Sequence, residues 1–252
     1  MATSDWLIPR DRPLIIAHRG ASAAAPQNTL AAFRKAMELG ADGVELDVQL
    51  SADGAVVVIH DFAVDKTTDG TGRVAAKTLA ELKALDAGAK FSPQFAGERI
   101  PTLGQVFETL EGKLLVNVEL KDFNPRSNAL AAPVVEVVRK HAMEKRVLFS
   151  SFNPIALRAV KRLAPQIPTG LLYAPNLTIY LRRAWLAPLV PHEARHPENS
   201  MVTAGTMKWY RAHRFRVNVW TVDDAVEMRR LIALGVDGII TNKPDVLSRI
   251  VR

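Results

Sequence analysis

Glu45 and Asp47 stand two residues apart in GVELDVQL, a run otherwise patterned as a strand, and His60 lies near the end of the next run, AVVVIHD. Residues two apart on a strand project to the same face. Two buried carboxylates without a partner cost on the order of several kcal/mol each to desolvate, so positive charge must sit with them. A hard divalent cation that takes oxygen ligands, Mg2+ or Ca2+, meets that need. A buried ion pair with Arg19 or Lys121 is the alternative. The intervening ADG is a turn signal. A hairpin centred on Ala52–Asp53 sets Asp47 across from the neighbourhood of His60 and brings the imidazole to the acids.

Two further runs carry polar residues at their ends. LLVNVELK brings Glu119 and, two positions on, Lys121; IIAHRG ends in His18 and Arg19. Three carboxylates, Glu45, Asp47 and Glu119, can hold one hard cation. Arg19 and Lys121 can bind an anionic group beside it, Arg as a fork and Lys as a point charge. His18 and His60 titrate near neutrality and can divide the work of general acid and general base. Metal, cations and imidazoles together suit phosphoester cleavage.

The elements that must position these residues alternate between β-branched runs and amphipathic stretches. Strands are predicted at 14–19, 43–50, 114–121, 146–152, 169–174, about 190–196, 217–223 and 237–242, with helical stretches between most of them. Asn28 or Thr29 can cap the first helix and Gly40 can end it. Pro133 must fall early in its helix or break it. Eight strands with intervening helices predict an α/β fold, a closed (β/α)8 TIM-type barrel, over an open doubly wound sheet, whose Gly-rich phosphate turn is missing after the first strand. One domain over 1–252 is expected, with an insertion of about 51–101 after the second strand that covers the catalytic mouth. His141, His192, His196 and His213 are assigned to surface or loop positions, His192 lying near the end of the sixth strand.

The chain has 252 residues, 48% hydrophobic and 23% charged, which is ordinary globular composition. A formal charge of +7 favours anionic partners, but the basic residues are scattered and form no nucleic-acid groove. No apolar run reaches the roughly 18 residues of a membrane span, and no secretion signal opens the chain, so a cytoplasmic location is expected. With no cysteine, thiolate chemistry is excluded.

HRG (18–20), the run from 28 to 61, NVELK (117–121), NVWTVDD (218–224) and LGVDGIITNKPD (234–245) together resemble the glycerophosphodiester phosphodiesterase family. The resemblance implies a TIM barrel, one divalent cation and cleavage of small glycerophosphodiesters, such as glycerophosphocholine or glycerophosphoethanolamine, to an alcohol and glycerol 3-phosphate. Carried across, the family's metal carboxylates fall on Glu45, Asp47 and Glu119, its catalytic histidines on His18 and His60, and its phosphate-side cations on Arg19 and Lys121. Trp220 matches an aromatic near the substrate. One departure stands out: the family's Pro-Glu-Asn-Thr is PQNT here, with Gln27 at the acidic position.

Two other functions compete. The apolar and basic stretch LTIYLRRAWLAPLV (177–190) would suit a lysophospholipase D working in transient contact with a membrane surface. Gln27 would suit a barrel that binds phosphodiesters without turnover.

Overall fold

The computed structural model describes residues 4–122, 129–176 and 190–252. Strand β1 (Leu14–His18) pairs in parallel with β2 (Gly43–Leu50) on one side and β9 (Gly238–Thr241) on the other. From β2 the sheet continues through β4 (Leu115–Leu120), β5 (Val147–Ser151), β6 (Thr169–Tyr173), β7 (Ala194–Pro197) and β8 (Arg216–Val219) back to β9. The result is a closed, eight-stranded parallel barrel, with β3 (Val56–Val58) added antiparallel to β2. Its described helices are α1 (Leu30–Glu38), α2 (Leu79–Ala84), α3 (Leu103–Leu110), α4 (Ala131–Lys140), α5 (Pro154–Leu163), α6 (Ala204–Ala212), α7 (Ala225–Leu234) and α8 (Pro244–Val251). No described helix is long and apolar enough to cross a membrane.

Local chemistry sets the boundaries. The Thr29 hydroxyl accepts from the Ala32 amide and starts α1, and Gly40 follows its end at φ +73°. Asp224 caps α7 through the amides of Val226 and Glu227, and Gly235 ends it in the left-handed region. Pro133 occupies the first turn of α4, where a missing N–H breaks no helical hydrogen bond.

Alternate strand residues go to two different places. Outward residues such as Val44, Leu46, Val116 and Val118 pack with helix residues including Phe33, Leu103 and Phe107 in the main core. Inward residues fill one end of the barrel with Leu14, Ile16, Leu115, Leu148, Ala194 and Ile240, and Trp6 packs against this cluster. Towards the strands' C-terminal ends the inward positions become Glu45, Asp47, Asn117, Glu119 and Ser150, all buried. The barrel is therefore greasy at its base and polar at its mouth.

Between β3 and α3 the chain forms a small unit around Val57, Ile59, Val64, Val74, Leu82, Ala87 and Ile100. A capping box built by Thr78 and Glu81 starts its helix α2.

Strand β7 lies later in the chain than the 190–196 expected; His192 keeps its loop assignment but not its place near the strand's end, and His196 loses its surface or loop assignment. His192 precedes the strand, at the barrel's base, with its ring stacked 4.9 Å from Phe215. His196 is fully buried inside the barrel, where Nε2 accepts from Asn218 Nδ2 at 3.0 Å. Hydrophobic pattern could not separate inward from outward positions in ARHP, because neither face reads as apolar. Residues 177–189 of the stretch tied to membrane contact lie outside the described residues.

Candidate active site

The hairpin takes the expected register. Val48 lies opposite Val58, and the Ile59 amide donates to the Asp47 carbonyl at 2.9 Å, so His60 follows directly at the mouth. Parallel pairing of β2 with β4 then sets Asp47 beside Glu119, and pairing of β1 with β2 sets His18 beside Glu45. Glu45, Asp47 and Glu119 each offer an oxygen within 4.8 Å of the others, and all three are buried.

Three carboxylates meet two basic side chains. Arg19 Nε lies 3.3 Å from Asp47, and Lys121 Nζ lies 3.0 Å from Glu119 and 3.6 Å from Asp47. Glu45 accepts from the Arg19 backbone amide at 3.1 Å, but among the described residues no Lys or Arg side chain lies within ion-pairing distance of it. Burial and repulsion from Asp47 and Glu119 hold its carboxyl well above the usual range. Burial, then the field of Asp47, pushes Glu119 up to about 7. Burial alone would raise Asp47 too, yet Arg19 and Lys121 outweigh it and keep that carboxylate ionised. A donor set made only of carboxylate oxygens, with one acid short of positive charge, fits a hard divalent cation.

Arg19 and Asn28 reach the site through backbone conformation. Both lie in the left-handed region, at φ +56° and +58°. Arg19 is thereby turned from the end of β1 onto Asp47, and Asn28 Nδ2 donates to Asp47 Oδ2 at 3.0 Å. Gly20, at φ +80°, is needed between them: a Cβ there would come within 2.7 Å of Ala32. Gln27 Oε1 accepts from Arg19 at 2.7 Å and stands outside the acidic triad.

Each histidine has a partner of its own. His18 Nδ1 lies 2.7 Å from Asn242 Oδ1, whose Nδ2 donates to Asp223 at 2.6 Å. Because the carboxylate can only accept, the amide is oriented with its oxygen towards the ring, so Nδ1 donates and Nε2 faces Glu45 at 3.9 Å as an acceptor. Burial, reinforced by Arg19, drives His18 down to about 4 and keeps it neutral. His60 Nδ1 meets Asp61 Oδ1 at 2.8 Å. Burial lowers His60 as well, with Asp47 and Asp61 pulling against the shift.

A cavity of about 180 Å3 opens onto His18, Arg19, Glu45, His60, Glu119 and Lys121. Trp220 and Phe152 form an apolar wall, their rings edge to face at 5.4 Å. Seven of the eight site residues expected from sequence thus share one cavity; Asp47 lies behind it, bound to Arg19, Lys121 and Asn28. Sequence reasoning did not reach Asn28 as an Asp47 ligand, nor Asn117, Ser150, Phe152, Asp61, Asn242 and Asp223. Asn117 and Ser150 follow from strand period once Glu119 is known to point inward, whereas Asn242 needs the closure of β9 on β1.

The residues from 18 to 246 match the model of the Glycerophosphoryl diester phosphodiesterase family. The chain belongs to that family. A glycerophosphodiester phosphodiesterase from Caldanaerobacter subterraneus subsp. tengcongensis is 45% identical over 96% of this chain and 98% of its own. An Oleispira antarctica phosphodiesterase, solved in complex with the product sn-glycerol-3-phosphate, has 33% identity and a TM-score of 0.87, covering 94% of this chain and 96% of its own. The glycerophosphodiester phosphodiesterase from Agrobacterium tumefaciens has 31% identity and a TM-score of 0.81, covering 94% and 99%. As a member of the glycerophosphoryl diester phosphodiesterase family the chain is an enzyme, and the expected barrel and family both hold.

Proposed function

We propose that the protein hydrolyses small glycerophosphodiesters to glycerol 3-phosphate and an alcohol, with a divalent cation held by Glu45, Asp47 and Glu119. The observation that carries this reading is the meeting of two basic groups, two histidines and the carboxylates Glu45 and Glu119 at one cavity, with the buried Asp47 directly behind them. When bound, Mg2+ or Ca2+ supplies Lewis-acid neutralisation of charge on the phosphoryl oxygens. Arg19 and Lys121 face the remaining phosphoryl charge. The Trp220 and Phe152 wall suits the carbon skeleton of the glycerol, while the carboxylate side suits its hydroxyls.

Hydrolysis adds water across one P–O ester bond, so one proton must be taken from the attacking oxygen and one given to the leaving alcohol. His18, neutral and with Nε2 free to accept, is suited to the first transfer. His60, backed by the Asp61 carboxylate that stabilises an imidazolium, is suited to the second.

Glycerol 3-phosphate release from glycerophosphocholine and glycerophosphoethanolamine, with Mg2+ or Ca2+ added, tests this. Turnover should vanish in excess chelator and fall at least about 100-fold in His18→Ala and in His60→Ala. Full turnover in chelator, or in the double variant, would overturn the reading.

A further inference from the structure

The catalytic cavity is small against the roughly 300–1,000 Å3 typical of sites that enclose a drug-sized ligand. It has room for a phosphorylated three-carbon unit, and the alcohol on the other side of the phosphate must lie elsewhere. A second cavity of about 450 Å3 adjoins it, lined by Gln27, Lys66, Lys90, Phe91, Asp223 and Asn242 among others. Three contacts join the two spaces. Gln27 accepts from Arg19 at 2.7 Å, Asn242 holds His18 at 2.7 Å, and Lys66 lies 3.9 Å from Asp61, the partner of His60. The groove therefore begins one side chain away from both histidines and from the phosphate-facing arginine.

Its charge is lopsided. Lys66 and Lys90 project from the insertion, Lys66 with 76% of its side chain exposed and Lys90 donating to the Asp65 carbonyl. Among the described residues that line the groove, the one carboxylate, Asp223, already accepts hydrogen bonds from Thr241, the Asn242 amide and Asn242 Nδ2. Gln27 adds a neutral amide to the same wall. Phe91, 45% exposed, adds an apolar surface for carbon atoms.

Resting on the function proposed above, the geometry points to this groove as the subsite for the leaving alcohol and to an alcohol bearing an anionic group, a carboxylate or phosphate, as its preferred occupant. Lys66 and Lys90 supply the attraction, and Gln27 removes the repulsion that a glutamate would impose.

Glycerophosphoserine and glycerophosphoethanolamine differ by a single carboxylate on the alcohol, which makes them the discriminating pair. The wild-type enzyme should give the higher kcat/KM with the serine diester. The double variant Lys66→Glu, Lys90→Glu, changed only at exposed positions, should lower kcat/KM for the serine diester about tenfold through KM. Turnover of the ethanolamine diester should hold or rise. Gln27→Glu should move the ratio the same way, and Lys66→Arg, Lys90→Arg should restore it. Equal losses for both diesters, or a wild-type enzyme indifferent to the carboxylate, would overturn the subsite while leaving the proposed hydrolysis intact. Failure of the wild type on both diesters, with metal present, would overturn the underlying function and the subsite with it.

Discussion

At the scale of single residues, the site is a problem in charge. Burial and mutual repulsion raise Glu45 and Glu119, whereas Asp47 is held down by Arg19 and Lys121. Glu45→Gln removes a carboxyl whose charged form burial and its acidic neighbours disfavour, so the cation-free protein should gain stability. The same change removes a hard oxygen from the proposed ligand set, so the rise in melting temperature on adding Mg2+ or Ca2+ should shrink. For the unaltered site that rise reflects about 2.7 kcal/mol at a hundredfold excess over Kd. Thermal unfolding with and without each ion checks both signs, and an unchanged metal-induced shift would remove Glu45 from the ligand set.

At the scale of elements, the turn from β1 into α1 is where geometry is tightest. Arg19, Gly20 and Asn28 all occupy the left-handed region, and Gly20 sits against the Ala32 backbone. Gly20→Ala combines an unfavourable φ with a collision at 2.7 Å, so a stability loss of about 1–3 kcal/mol is expected. Arg19 would be displaced with it. Denaturant midpoints should fall, and KM for a phosphodiester should rise more steeply than stability alone explains. A variant with wild-type KM would mean that the turn positions nothing catalytic. The hairpin β2–β3 is the opposite case: its register follows from the turn, and the acids and His60 meet without backbone strain at Glu45, Asp47 or His60.

At the scale of the whole molecule, barrel closure buries a neutral histidine that does not line the candidate site's cavity. Burial drives His196 down to about 3, against about 6.5 in an unfolded chain. The unfolded state therefore binds the proton first, and stability should be flat above pH 6.5 and fall as pH drops from there towards 3. His18, lowered to about 4, adds to the same slope in the cation-free protein. His196→Asn should weaken the protein at pH 7 by disturbing Asn218, yet flatten the acid limb by one proton. Melting temperature against pH reads both effects; an unchanged acid limb would mean that His196 is protonated in the folded state.

Much of this could be read without coordinates. Glu45, Asp47, Glu119, Lys121 and His18 declare themselves because strand periodicity is local: a polar residue at an inward position of an apolar run is visible from its neighbours. His60 follows because a short turn fixes register over a few residues. What the chain alone left open was every relation between elements distant in sequence. Asn242 and Asp223 reach His18 only because β9 closes on β1, the groove between the β1–α1 turn and the insertion exists only once both are packed on the barrel, and His196 turns inward by a rotation that its strand's mixed composition does not encode. Periodicity decides which face a side chain takes on its own strand; only closure of the sheet decides what stands across from it.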